Sequence, residues 1–130
     1  MQTTTARIGV VEDDPGVSRL LALLLRERGH EVATYPCAED ALPVFLEAPP
    51  ELVIVDRGLP GLDGLSLVQA LRERYASTEM SIVLLSGLAG DEEVSEAIQA
   101  GADDCLSKPF QQSLLHARID QLLARLREMA

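Results

Sequence analysis

Asp56 stands at the end of an apolar run, Leu52-Val53-Ile54-Val55, and the acidic group Glu12-Asp13-Asp14 ends another, Ile8-Gly9-Val10-Val11. A third run, Ile82-Val83-Leu84-Leu85, ends in Ser86. A fourth apolar patch leads through Ser107 to Lys108, the only lysine in the chain. Carboxylates can hold a hard divalent cation or act as nucleophiles, a hydroxyl can donate to an oxyanion, and an ammonium can neutralise either. Two like charges about 4 Å apart repel by about 4 kcal/mol at an effective dielectric near 20, so clustered acids call for a shared proton or a cation. Magnesium suits such oxygen ligands. Asp14, ahead of Pro15, and Asp63, ahead of a helical stretch, read first as helix caps. Asp13 and Asp56 follow buried strands and read as chemistry.

Groups scattered over a hundred residues act together only if the fold gathers them. Short runs of Val, Ile and Leu separated by helix-like segments are the pattern of strands buried on both faces of a parallel sheet. Five strand-plus-helix units follow along the chain. Strands are expected at about 7–12, 31–35, 51–56, 81–86 and 103–107, and helices at about 15–28, 38–47, 64–75, 91–100 and 110–128. Pro15 suits a first helical turn, and Gly29 and Gly101 suit helix ends. Pro43 would remove an interior hydrogen bond, so the second helix is expected to kink or to start late. Alternation with short connections predicts a doubly wound α/β domain with helices on both faces. In such a sheet the carboxyl ends of the strands share one edge, where ligands bind. That edge would carry Glu12, Asp13, Asp56, Ser86 and Lys108.

The chain has 130 residues, 25% charged and 47% hydrophobic, which suits one domain with a real core. Its formal net charge of -10 argues against direct binding to nucleic acid. Cys37 and Cys105 fit no metal spacing and are too few for a disulfide framework. A reducing, cytoplasmic compartment is therefore expected. Residues 1–7 lack a signal-peptide pattern, and no apolar run approaches membrane length.

Ser86 is followed by Gly87, which lets a ligand approach, and Lys108 precedes Pro109, where a cis peptide bond is expected. Taken together, Val11-Glu12-Asp13-Asp14-Pro15, Val55-Asp56 with Leu59-Pro60 and Asp63-Gly64, Ser86-Gly87, and Lys108-Pro109-Phe110 resemble the receiver domain of two-component response regulators. Ala100-Gly101-Ala102-Asp103-Asp104 also looks like that family. The resemblance covers about 7–120, and implies a single receiver domain over 1–130 with a flavodoxin-like sheet in the order 2-1-3-4-5.

By that resemblance Asp56 would be the phosphoryl acceptor. Asp13 would hold magnesium directly, Glu12 through water, and Gly58 through its carbonyl, with manganese as a substitute. Ser86 and Lys108 would contact the phosphoryl group. The donor would be a histidine kinase or a histidine phosphotransfer protein. The added charge would repack the face from strand four to helix five, to control an output domain or partner. This is a switch with self-modifying chemistry, not an enzyme that turns over metabolites.

Two departures stand out. Three residues before the lysine, where the family usually has an aromatic, this chain has Cys105, which reads as a small buried residue. Gly58 and Leu88 occupy positions that in the family influence loss of the phosphoryl group. Neither side chain can orient a hydrolytic water, so slow self-dephosphorylation is expected. In helix five, Leu115, Ile119, Leu122, Leu126 and Met129 form a heptad-like stripe. Its first part should pack on the sheet; its later part either dimerises, leads into an output domain, or simply packs and frays at its end. Helix four, Asp91 to Ala100, has no basic residue, which favours a basic or apolar partner over a charge-paired dimer. Two further readings are a pseudo-receiver that works without phosphate and a haloacid-dehalogenase-type phosphohydrolase. The latter needs Asp-x-Asp after strand one, where this chain has Glu12-Asp13-Asp14. A flavodoxin-like cofactor binder is disfavoured, because no hydroxyl-rich phosphate loop follows Val11.

Overall fold

A computed structural model describes residues 5–87 and 90–129. Five strands, β1 (Arg7–Val11), β2 (Glu31–Tyr35), β3 (Leu52–Asp56), β4 (Ser81–Ser86) and β5 (Asp104–Ser107), alternate with five helices. The helices are α1 (Pro15–Glu27), α2 (Ala38–Glu47), α3 (Gly64–Arg74), α4 (Asp91–Ala100) and α5 (Gln112–Glu128). The strands form one sheet in the order β2-β1-β3-β4-β5, and every pairing is parallel. The doubly wound fold and its strand order are as expected.

Strand alternation divides the core in two. Ile8, Val10, Leu52, Ile54, Val83, Leu85 and Leu106 pack with Leu21 and Leu25 of α1 and Leu115, Ile119 and Leu123 of α5. Val11, Val53, Val55, Ile82, Leu84 and Cys105 face the other way, against Phe45 of α2, Leu67 and Leu71 of α3 and Ala97 of α4. Gly9 belongs to the second face, where a Cβ would come within 2.6 Å of the Phe45 ring. β3 and β4 are buried along their whole length because both of their edges and both of their faces are covered.

The helix ends follow local chemistry. Asp14 caps α1 by accepting from Gly16 and Val17 N–H, and Asp63 caps α3 by accepting from Ser66 N–H. Gly101 closes α4 at φ 117°. α2 does not start late: it runs through Pro43, held by buried Ala38, Ala41 and Phe45, so packing outweighs one missing hydrogen bond. α5 begins at Gln112, after Pro109, rather than at 110. Its stripe is buried through Leu126, and Met129 is 44% exposed, so packing on the sheet consumes most of the heptad-like pattern. No helix among the described residues is long and apolar enough to cross a membrane.

Candidate functional site

β1 and β3 are adjacent, and the chain winds outward from them in opposite directions, so their carboxyl ends form the switch point of the sheet. Glu12 and Asp13 leave β1 there, and Asp56 ends β3. One carboxylate oxygen from each of the three lies within 4.8 Å of the other two. Glu12 is 2% exposed and Asp56 6%, whereas Asp13 is exposed. Hard oxygens at this spacing from three acids fit one small divalent cation, with room for water as further ligands. The donor set therefore suits magnesium.

The loop after β5 brings the countercharge. Lys108 Nζ lies 2.8 Å from Glu12 Oε1 and 3.4 Å from Asp56 Oδ1. The loop is fixed by Lys108 N–H donating to the Ser86 carbonyl at 2.8 Å, and the Lys108–Pro109 peptide is cis, as expected. Ser86 itself is buried at the end of β4. The four strand ends thus meet at one place, as their order in the sequence suggested.

Electrostatics follow from depth. Burial pushes the Glu12 carboxyl above its usual range; the Lys108 hydrogen bond and the Asp14 N–H oppose this, and the charge of Asp56 adds to it. Burial alone would lower the Lys108 ammonium, but the Glu12 hydrogen bond and the charges of Asp56 and Glu12 outweigh it and hold it up. Both directions make sense together. The acid side chain is 1% exposed and the ammonium 25%, so desolvation dominates only at the acid.

A cavity of about 630 Å³ opens over this cluster, lined by Asp56, Arg57, Gly58, Ser86, Gly87, Glu93 and Lys108. A Cβ built on Gly58 or Gly87 would meet nothing within 4 Å, so both glycines border open space. Gly58 N–H also approaches Asp56 Oδ1, at 3.4 Å. Leu88, beside Gly87, lies outside the described residues. Cys105 is buried on β5, and burial, with the charge of Asp104, pushes its thiol up, so it is a packed and weakly acidic thiol.

Two features of the site, and one contact at the opposite edge of the sheet, were not anticipated. Gly64 is pressed against the backbone that carries Asp56: a Cβ there would lie 2.7 Å from Arg57 Cα and closer still to the Asp56 carbonyl oxygen. Arg57 spans the cavity rim to Glu96 on α4, at 3.2 Å. Arg72 of α3 donates to Asp103 and to the carbonyls of Met80 and Gly101, which locks the start of β5 to α3. Nothing in the spacing of Arg57 or Arg72 signals these long reaches.

The chain matches the family model for the response regulator receiver domain over residues 8–120. It is 36% identical over 116 residues to the transcriptional regulatory protein AfsQ1 of Streptomyces coelicolor, covering 89% of this chain and 50% of that one. It is 40% identical over 116 residues to the two-component response regulator PhoP of Pseudomonas aeruginosa, covering 89% and 51%. The chain thus spans about half the length of these relatives. Among solved structures it resembles the beryllofluoride-activated N-terminal receiver domain of Klebsiella pneumoniae RstA, with a TM-score of 0.83 at 34% identity, covering 90% of this chain and 97% of that one. Fold, site and relatives agree: this chain belongs to the response regulator receiver domain family of two-component systems.

Proposed function

We propose that the chain is a phosphorylatable switch in which Asp56 accepts a phosphoryl group from a phosphohistidine, on a histidine kinase or a histidine phosphotransfer protein. The observation that carries this reading is the meeting of three carboxylates with one ammonium, beside Ser86, under an open cavity. An Asp56 carboxylate oxygen attacks phosphorus and the P–N bond breaks, its electron pair staying with the imidazole nitrogen. The product is an acyl phosphate, and water later returns Asp56 to the carboxylate.

Asp13, Asp56, the Gly58 carbonyl and, through water, Glu12 would hold magnesium, with manganese as a substitute; the ion supplies charge for the transferring oxygens. Lys108 neutralises the phosphoryl oxygens from the opposite side and Ser86 donates its hydroxyl to them. Both residues also orient the group in line with Asp56, which is most of what phosphoryl transfer requires.

The readout runs through the face formed by α4, β5 and α5. Ile98 of α4 and Leu114 of α5 are exposed on these helices. Leu114 lies one turn before Arg118, which bonds Asp104 of β5, so it borders that face. We assign this face to an output domain or partner, with pairing of two copies through α4 and α5 as a second mode. The first turn of α4, with Asp91, Glu92 and Glu93, favours a basic or apolar partner. Residues 1–130 form one receiver domain in this reading, acting in the cytoplasm, and nucleic acid is left to the output part.

Incubation with acetyl phosphate and magnesium, read by intact mass, tests the reading. One added phosphoryl group is expected, and none in Asp56→Asn. A wild-type mass that does not change would sink it.

A further inference from the structure

The Asp56 cavity has a second cation besides Lys108. Arg57 and Glu93 line it together with Asp56, Ser86 and Lys108. The backbone of Arg57 is fixed: its N–H donates to the Leu85 carbonyl at 2.8 Å and its carbonyl accepts from Gly64 at 3.1 Å. Its guanidinium is divided. Nη2 lies 3.2 Å from Glu96 Oε1 on α4, while Nη1 is buried and has no hydrogen-bond partner among the described residues. Unmet buried donors are rare in folded proteins, and on a charged group they are costly. The arginine thus joins the end of β3 to α4.

We propose that Arg57 is a positioning residue that couples Asp56 to α4: Glu96 holds its guanidinium in the unmodified chain, and a phosphoryl group on Asp56 draws it away. This rests on Asp56 being the phosphoryl acceptor. The competition is unequal. Glu96 is 48% exposed and offers one long contact, which is worth little in water. A phosphoryl group brings roughly −1.5 to −2 charges and three strong acceptors, and it meets the unpaired Nη1 as well. Once Arg57 turns inward, α4 loses its tie to the end of β3. Because Arg57 immediately follows Asp56, the site and its readout are joined by one residue.

Beryllofluoride with magnesium, a stable stand-in for the phosphoryl group, provides the test, with α4 amides followed by NMR in wild type, Arg57→Met and Glu96→Gln. Wild type should bind and shift the amides of 91–100 and of the Lys108 loop. Arg57→Met should bind about tenfold more weakly, the loss of one partly exposed charge-assisted contact, and should keep the Lys108 shift while losing that of α4. Glu96→Gln, a surface change that leaves the fold alone, should bind a few-fold more tightly. Its α4 amides should already lie toward the bound positions in the free protein. If wild type binds and both variants match it in affinity and α4 response, the coupling is overturned while the phosphoacceptor reading stands. If wild type binds no beryllofluoride, both fall.

Discussion

Lys108 makes its closest ionic contact with Glu12, at 2.8 Å, and these two residues stand 96 positions apart in the chain. The bond ties the end of β1 to the loop after β5 across the whole width of the site. Lys108→Met leaves a carboxylate that is 2% exposed without its partner. The side chain of Lys108 is a quarter exposed, so the cost is that of a partly screened pair, about 1–2 kcal/mol in urea unfolding without magnesium. Magnesium should recover more stability in this variant than in wild type, because it replaces the missing positive charge. Labelling by acetyl phosphate should fall about hundredfold, the usual loss when one charge-stabilising donor is removed. Equal labelling rates would show that Lys108 only holds the fold.

The same cluster predicts a stabilising loss of function. Three carboxylates within 4.8 Å share one ammonium, so the folded chain carries repulsion that the unfolded chain does not. Asp56→Asn should raise stability in magnesium-free buffer by about 1 kcal/mol, after the countercharge of Lys108 is allowed for. Wild type should gain about 2.7 kcal/mol from magnesium at a hundredfold excess over its dissociation constant, and Asp56→Asn and Asp13→Asn clearly less. Calorimetry with and without the ion checks both signs. An Asp56→Asn protein less stable than wild type would contradict the repulsion.

Much of this site is legible in the sequence because its positions are dictated by strand ends. Val11, Val55 and Leu85 must be buried on both sides of the sheet, so Glu12, Asp56 and Ser86, which follow them, are forced to the carboxyl edge. Asp14 and Asp63 announce themselves as caps by their place before helical stretches. Arg57 and Arg72 did not, because a long flexible side chain finds its partner by tertiary placement that no local periodicity encodes. Pro43 does not delay the start of its helix for the opposite reason: its local penalty is real, but Phe45 and the two buried alanines hold the helix across it.

Gly64 offers a test of how tightly the Asp56 loop is held. An added methyl group would collide with backbone, not with a movable side-chain end, so the loop must shift. Gly64→Ala should cost about 1–3 kcal/mol, as overpacking does. It should also slow phosphorylation, since a displacement on the order of 1 Å at a reacting group can cost about a hundredfold. Urea unfolding and acetyl phosphate labelling together decide it. A stable variant with a normal rate would mean that the loop yields freely.

Loss of the phosphoryl group should be slow. Hydrolysis needs a water held in line with the P–O bond, and Gly58 borders open space with no side chain to hold one. The purified phosphoprotein should persist far beyond seconds when followed by intact mass over time. Gly58→Gln places an amide at the cavity edge and should shorten the lifetime by about tenfold. Decay within seconds in the unmodified chain would reveal another water-orienting group.

The two histidines should make stability fall as pH drops through the histidine range. His30 Nδ1 accepts from Ala6 N–H at 3.1 Å, so this nitrogen is unprotonated in the native state. Burial lowers the pKa of His30, opposed by Asp120 and reinforced by His116, Arg28 and Arg127. Burial also lowers that of His116, with Arg28 reinforcing and Asp120 and Glu27 opposing. Below the ordinary histidine value of about 6.5 the unfolded chain therefore binds more protons than the folded one. Stability should be full above about pH 7 and fall as pH drops below about 6.5, levelling once the folded histidines also protonate. Glu12, held up by burial, acts in the opposite sense, so from about pH 7.5 to 5.5 the histidine contribution is the difference in slope between wild type and a variant lacking both histidines. His30→Asn keeps an acceptor for Ala6 N–H, and combined with His116→Gln it should flatten the slope of unfolding free energy in that window. An unchanged slope in the double variant would place the acid sensitivity elsewhere.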